Sequence, residues 1–178
     1  MPRCLRESIS KSPYFSNILG YHPIMGIKLD NFDHIILTEL QKDATLSMDV
    51  LSERVNLSRN ACWRRVRQLE ESGVITGRVA LIDPQSIGLG LSVFVLISTN
   101  EHGPDWLAQF EAAVKATPEI LGAHRMTGDL DYILRVKVRD VKSYDEFYQR
   151  LISQVPIADV SASFVMQDIV DTTQLPIK

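Results

Sequence analysis

Between Asp30 and Gly73 the apolar residues fall at helical spacing, and beyond Gly90 most of them alternate at strand spacing. Asp30 stands at an N-cap position ahead of Phe32, Ile36 and Leu40, which make the inner stripe of a first helix. Ser47 is placed to cap a second, short helix holding Val50, Leu51 and Val55. Asn56 follows where the chain needs a left-handed residue, a conformation that Asn tolerates. Ser58 is the N-cap of a third helix, whose stripe is Cys62, Val66 and Leu69 and whose stop is Gly73.

From 78 to 90 the pattern changes. Val79, Leu81 and the apolar residues around them predict a linker strand, and Pro84, Gly88 and Gly90 mark a hinge. A buried strand follows over Leu91–Ser98, then a helix through Trp106, Phe110 and Val114 that ends at Pro118. Ile120–Thr127 is a second strand. Tyr132, Leu134, Val136 and Val138 alternate with polar or outward residues along a third. Val141, Tyr144, Phe147, Tyr148, Leu151 and Val155 trace another helix, and Val160, Ala162, Phe164 and Met166 a last strand. The order βαββαβ is ferredoxin-like. The predicted fold class is α+β: a three-helix, winged-helix-like helix-turn-helix domain over 26–77, a linker strand and hinge over 78–90, and a ferredoxin-like domain over 91–172. Residues 1–25 and 173–178 read as tails. Two helices on one side of four strands leave the other sheet face open, and self-association is the simplest way to cover it.

Composition narrows the class. The 178 residues are 45% hydrophobic and 23% charged, with a formal net charge of -3, as in a globular protein. No apolar run reaches the roughly 18 residues of a membrane span. Cys4 lies in a polar tail and Cys62 on a helix stripe, so no structural disulfide is expected and a reducing cytoplasm fits. The four histidines are scattered and show no metal-ligand spacing. No cofactor is implied.

Charge is informative only locally. Lys28–Glu71 holds seven basic and eight acidic residues, a balance of -1. Within it, Ser58–Leu69 carries four arginines and no acid. At about 100° per residue, Asn60, Arg64, Arg67 and Gln68 lie opposite the apolar stripe, with Arg59, Trp63 and Arg65 on its flanks. A tight turn followed by a helix offering Arg, Asn and Gln suits the base edges of a major groove. The expected DNA-binding set is Ser58, Arg59, Asn60, Trp63, Arg64, Arg65, Arg67 and Gln68. Trp63 is equally suited to packing against the neighbouring helix, and a solvated surface helix is the plain alternative for the whole stripe.

LDNFDHIILTELQKDATLS, VNLSRNACWRRVRQLEESGVI, VALIDPQSIGLG and HRMTGDLDYILRVKV occur in this order along the chain. Together they resemble the Lrp/AsnC, or feast/famine, family of bacterial and archaeal transcription regulators, from Leu29 to about Pro176. VALIDPQSIGLGLSVFVLI and DEFYQRLISQVP look most like a sulfur-amino-acid-responsive branch. The resemblance implies pairing through the C-terminal domain, assembly of dimers into an octamer, and a free amino acid bound between dimers. It also implies double-stranded DNA as partner, no membrane, and a nucleoid-associated place in the cytoplasm. One departure matters: many members carry Pro just after the residue matching Ser58, where this chain has Arg59, Asn60 and Ala61.

On residues alone, Gly128-Asp129 is ordinary turn chemistry. The resemblance makes the loop an effector site, with Arg125, Met126, Thr127, Gly128, Asp129, Asp131 and Tyr132 as candidates. Asp129 or Asp131 would accept from the ligand ammonium, and N–H groups near Thr127 and Gly128 would hold its carboxylate. Cysteine, methionine and leucine are the first ligands to consider. Ser161 and Ser163 face either the same cleft or solvent. Two other functions remain: an architectural DNA binder indifferent to effectors, and an enzyme like the sirohaem decarboxylases, which have a similar architecture. No catalytic constellation supports the latter.

Overall fold

A computed structural model describes residues 28–177. The 1–25 tail and Cys4 lie outside the described residues. The chain divides into two compact units, one containing residues up to Val79 together with the segment from Thr172, the other Ala80–Asp171.

In the first unit, α1 spans Asn31–Lys42, α2 Met48–Arg54 and α3 Arg59–Glu71. Asp30 caps α1 through a reciprocal box: its carboxylate accepts from the Asp33 N–H, and the Asp33 carboxylate accepts from the Asp30 N–H, both at 3.0 Å. Ser47 and Ser58 cap α2 and α3 as expected, accepting from the Val50 and Ala61 N–H groups. Asn56 has φ 55, and Gly73, two residues past α3, has φ 75. Both sit in the left-handed region that ends one helix and frees the chain to turn. The core contains Ile36, Leu37, Leu51, Val55, Cys62, Val66 and Leu69. Phe32 is a partial exception to the predicted inner stripe: it lies near the surface under the Arg65 guanidinium.

The expected strand at 78–90 is not formed. Residues 76–83 have no regular structure and Gln85–Ile87 is a 3₁₀ turn. A strand needs a hydrogen-bonding neighbour, and the described residues offer this segment none. Val79, Leu81 and Ile82 are consequently 80%, 76% and 65% exposed.

The second unit contains β1 (Leu91–Ser98), α4 (Pro104–Ala116), β2 (Ile120–Arg125), β3 (Tyr132–Val138), α5 (Val141–Gln154) and β4 (Asp159–Phe164). The strand order is β2-β3-β1-β4, every pair antiparallel, which is the ferredoxin-like arrangement. Val93, Val95 and Ile97 of β1 and Leu134, Val136 and Val138 of β3 join Phe110, Phe147 and Leu151 in one core. Each fully buried side chain of this kind contributes about 1.5–3 kcal/mol. The indole N–H of Trp106 is not left unpaired: it donates to the Pro156 carbonyl at 2.7 Å. The opposite sheet face carries Phe94, Leu96, Arg135, Lys137, Ser161 and Ser163; no described helix or strand covers it, and only the segment after β4 runs beside part of it.

The left-handed turn at Asn56 makes a direct prediction. Asn56→Val should destabilise the protein by about 1–2 kcal/mol, because a β-branched residue resists positive φ. Asn56→Gly should be close to neutral. Urea denaturation midpoints of the two variants check this.

Candidate DNA-reading face and effector loop

Burial of Cys62, Val66 and Leu69 turns one side of α3 inward, so the opposite side faces outward. Asn60, Arg64, Arg67 and Gln68 are all exposed, and so are Ser58, Arg59 and Trp63. Trp63 is half exposed, with the Arg67 guanidinium 5.4 Å from its ring centroid. It is therefore on the outer face rather than packed in the core. Arg59 pairs with Asp49 at 3.1 Å and Arg67 with Glu71 at 2.7 Å. Both pairs are solvated and weak, so a phosphate can replace the carboxylate. Arg64 makes no ion pair among the described residues.

Arg65 is different. Its Nη1 lies 2.8 Å from Asp30 Oδ2 and 2.8 Å from Asp33 Oδ1, with the guanidinium 5.4 Å from the Phe32 ring centroid. The two carboxylates are those of the α1 capping box. Arg65 was expected in the DNA-binding set, but its Nη1 is engaged within the domain, where it holds α3 against the start of α1. Periodicity places it on the flank; it cannot show that two acids wait there. The Asp33 N–H, and after it the Arg65 guanidinium, hold the Asp30 carboxyl below its ordinary value. Burial pushes the Cys62 thiol up, as suits a core position.

In the second unit the expected effector residues are brought together, but they do not all point one way. The loop joins β2 to β3, and Gly128 at φ 118 makes its sharpest bend. The Met126 N–H donates to the Asp131 carbonyl at 2.8 Å, and the Asp131 N–H to the Ile97 carbonyl at 3.0 Å. Asp131 Oδ2 accepts from the Thr99 N–H at 2.8 Å. Asp131 is thus a staple between this loop and the end of β1, a long-range contact that chain spacing does not announce. Tyr132 also departs from the expected role. It is buried between Trp106 and Phe110, with ring centroids 5.8 and 4.6 Å away, and burial raises its pKa. In the β2–β3 register Arg125 lies opposite Tyr132. The groups left on the surface are Arg125, Met126, Thr127, Gly128 and Asp129. Ser161 and Ser163 lie on the open sheet face, opposite Leu96 and Phe94. That face also holds a groove of about 340 Å³ beside Phe94, Arg135, Lys137 and Val165, separate from the loop residues.

A capped helix-turn-helix with an arginine-bearing outer face, followed by a ferredoxin-like domain, defines a DNA-binding transcription regulator with a separate ligand-binding domain. Residues 29–76 match the winged helix-turn-helix DNA-binding model, and residues 92–175 the Lrp/AsnC ligand binding domain. The chain belongs to the Lrp/AsnC family of transcription regulators. The DNA-binding transcriptional activator DecR of Escherichia coli K12 is 50% identical over 151 residues, covering 84% of this chain and 99% of its own length. An AsnC family transcriptional regulator from Agrobacterium tumefaciens is 46% identical with a TM-score of 0.81, covering 83% of this chain and 97% of its own. A Neisseria meningitidis transcriptional regulator, solved as a complex with L-methionine, is 37% identical with the same TM-score of 0.81, covering 84% and 97%.

The Arg65 cluster predicts a pH signature. A carboxyl held below its ordinary value contributes stability above that value and loses it as pH falls through the lowered one. Arg65→Met should therefore lower the melting temperature at pH 7, and the gap to the parent should narrow by about pH 3. A gap that stays constant with pH would mean the lost contact is packing on Phe32 alone.

Proposed function

We propose that this regulator reads operator DNA through Asn60, Arg64, Arg67 and Gln68, with Ser58, Arg59 and Trp63 beside them. A free amino acid bound at the β2–β3 loop modulates that reading. The observation that carries the DNA assignment is the outward face of α3, where Arg64 makes no ion pair among the described residues and Arg59 and Arg67 are held by solvated carboxylates. Arg64 suits a guanine edge or a phosphate, and Asn60 an adenine. Arg65 serves as their brace.

The effector reading rests on the family's ligand-binding domain and on the loop. Asp129 is exposed and makes no ion pair among the described residues, so it is the acceptor for an ammonium group. The Thr127 and Gly128 N–H groups and Arg125 are the donors for a carboxylate. Met126, 42% exposed, is the apolar neighbour for a side chain such as that of methionine, leucine or cysteine. The methionine complex of the Neisseria relative supports this ligand class. Tyr132 and Asp131 hold the loop from behind.

The open sheet face and the exposed Val79–Ile82 segment support a homodimer, with higher assembly built from dimers. Two recognition helices per dimer call for a pseudo-palindromic operator with half-sites about one helical turn apart. The protein would act in the cytoplasm, at the nucleoid.

Three measurements test this. Arg64→Ala should weaken operator binding by about 1–3 kcal/mol if it reads a base; unchanged affinity removes Arg64 from the reading face. A thermal-shift screen against the twenty amino acids should give a selective hit, since a ligand at 100 times its dissociation constant adds about 2.7 kcal/mol. A flat screen beside intact operator binding favours an architectural DNA binder. Asp129→Asn should abolish the hit while leaving DNA affinity unchanged.

A further inference from the structure

The DNA-binding unit is discontinuous. Its contacts include the segment from Thr172, so the whole ferredoxin-like domain is inserted between two pieces of it. Ile177 packs against the helix-turn-helix core. The Gln41 side-chain amide, near the end of α1, grips one residue of this segment: Leu175 N–H donates to its Oε1 at 2.6 Å, and its Nε2 donates to the Leu175 carbonyl at 3.3 Å. An extended residue presents its N–H and C=O along the same edge, and a primary amide can meet both. Pro176 favours that extended state in Leu175. The Thr172 hydroxyl, which accepts from the Gln174 N–H at 3.1 Å, turns the chain just before the grip.

We propose that Thr172–Ile177 is a strap that docks on α1 through Gln41 and Ile177, and that it pre-organises the DNA-binding unit for simultaneous reading of two half-sites. The inserted domain is then joined to the DNA-binding unit by two chain segments instead of one. The second leaves the ferredoxin-like unit directly at Asp171, so a docked strap restricts how far the reading head can reorient. Restricting reorientation before binding lowers the entropy lost when both helices engage one DNA. The role rests on the proposed reading of two half-sites by a homodimer and does not depend on the effector reading.

Gln41 and Ile177 lie outside the reading face, which makes them clean probes. The test uses a duplex selected from random sequence by the full-length protein, and the same duplex cut to one half-site. Gln41→Ala, Ile177→Asp and deletion of 172–178 should each weaken binding to the full duplex by about 3- to 10-fold. Binding to the half-site should stay unchanged. A disulfide formed in a Gln41→Cys/Leu175→Cys variant should hold full-site affinity at the parent level or above. In parallel, the Leu175 amide should exchange slowly in the parent and fast in Gln41→Ala. Full-site affinity within about twofold of the parent in both Gln41→Ala and the deletion would overturn the strap. Equal loss on the half-site would also overturn it, by showing that the segment only stabilises the helices. Rapid exchange at Leu175 in the parent would show that the segment does not dock.

Discussion

One guanidinium organises the DNA-binding unit. Arg65 sits between the carboxylates of Asp30 and Asp33, and those carboxylates are already in use as the reciprocal cap of α1. The start of α1 and the rotation of α3 are therefore tied to the same two carboxylates, one oxygen of each serving the cap and the other Arg65. The apolar stripe Cys62, Val66 and Leu69 says which side of α3 faces inward, but a stripe is broad and tolerates some roll. The charged cluster narrows that tolerance, because guanidinium hydrogen bonds are directional. What remains outward is the set Asn60, Arg64, Arg67 and Gln68. The acidic groups near this face are assigned unequally. Asp30 and Asp33 hold a buttress, while Asp49 and Glu71 are solvated partners that a phosphate can displace.

The elements were legible because their local rules agree. Caps at Asp30, Ser47 and Ser58, the left-handed Asn56 and the stop at Gly73 all act within a few residues of sequence. The strands of the second unit were legible for the same reason, since alternation is local. The differences are non-local or concern partners. Arg65 looks like another basic flank residue until its position against Asp30 is known. Tyr132 and Asp131 sit in a loop motif, yet one fills the core and the other bonds to Thr99, thirty-two positions away. The segment from 78 has the composition of a strand but pairs with no strand among the described residues. No pattern in the chain shows that Gln41 meets Leu175, 134 positions along.

The division of labour in the β2–β3 loop also has a physical logic. Tyr132 and Asp131 tie the base of the loop to the core and to β1, so its tip is presented from a rigid edge. The tip itself bends at Gly128 and keeps its polar groups exposed. The base of the loop is continuous with β3, and β3 pairs with β1 over its full length. β1 in turn pairs with β4, the last strand before the chain leaves the domain. Ladder hydrogen bonds thus connect the loop to the strand from which the C-terminal segment departs.

The discontinuity of the DNA-binding unit has a consequence for biosynthesis. A ribosome delivers α1, α2 and α3 first, and these can gather their core while the rest of the chain is still being made. Residues 172–177 follow only after the entire ferredoxin-like domain has been translated. The contacts of Ile177 and Leu175 with the first unit are therefore the last to form in time, although they belong to the first unit in space. A nascent chain holds its recognition helix early, but its finished reading head only once the second domain is complete.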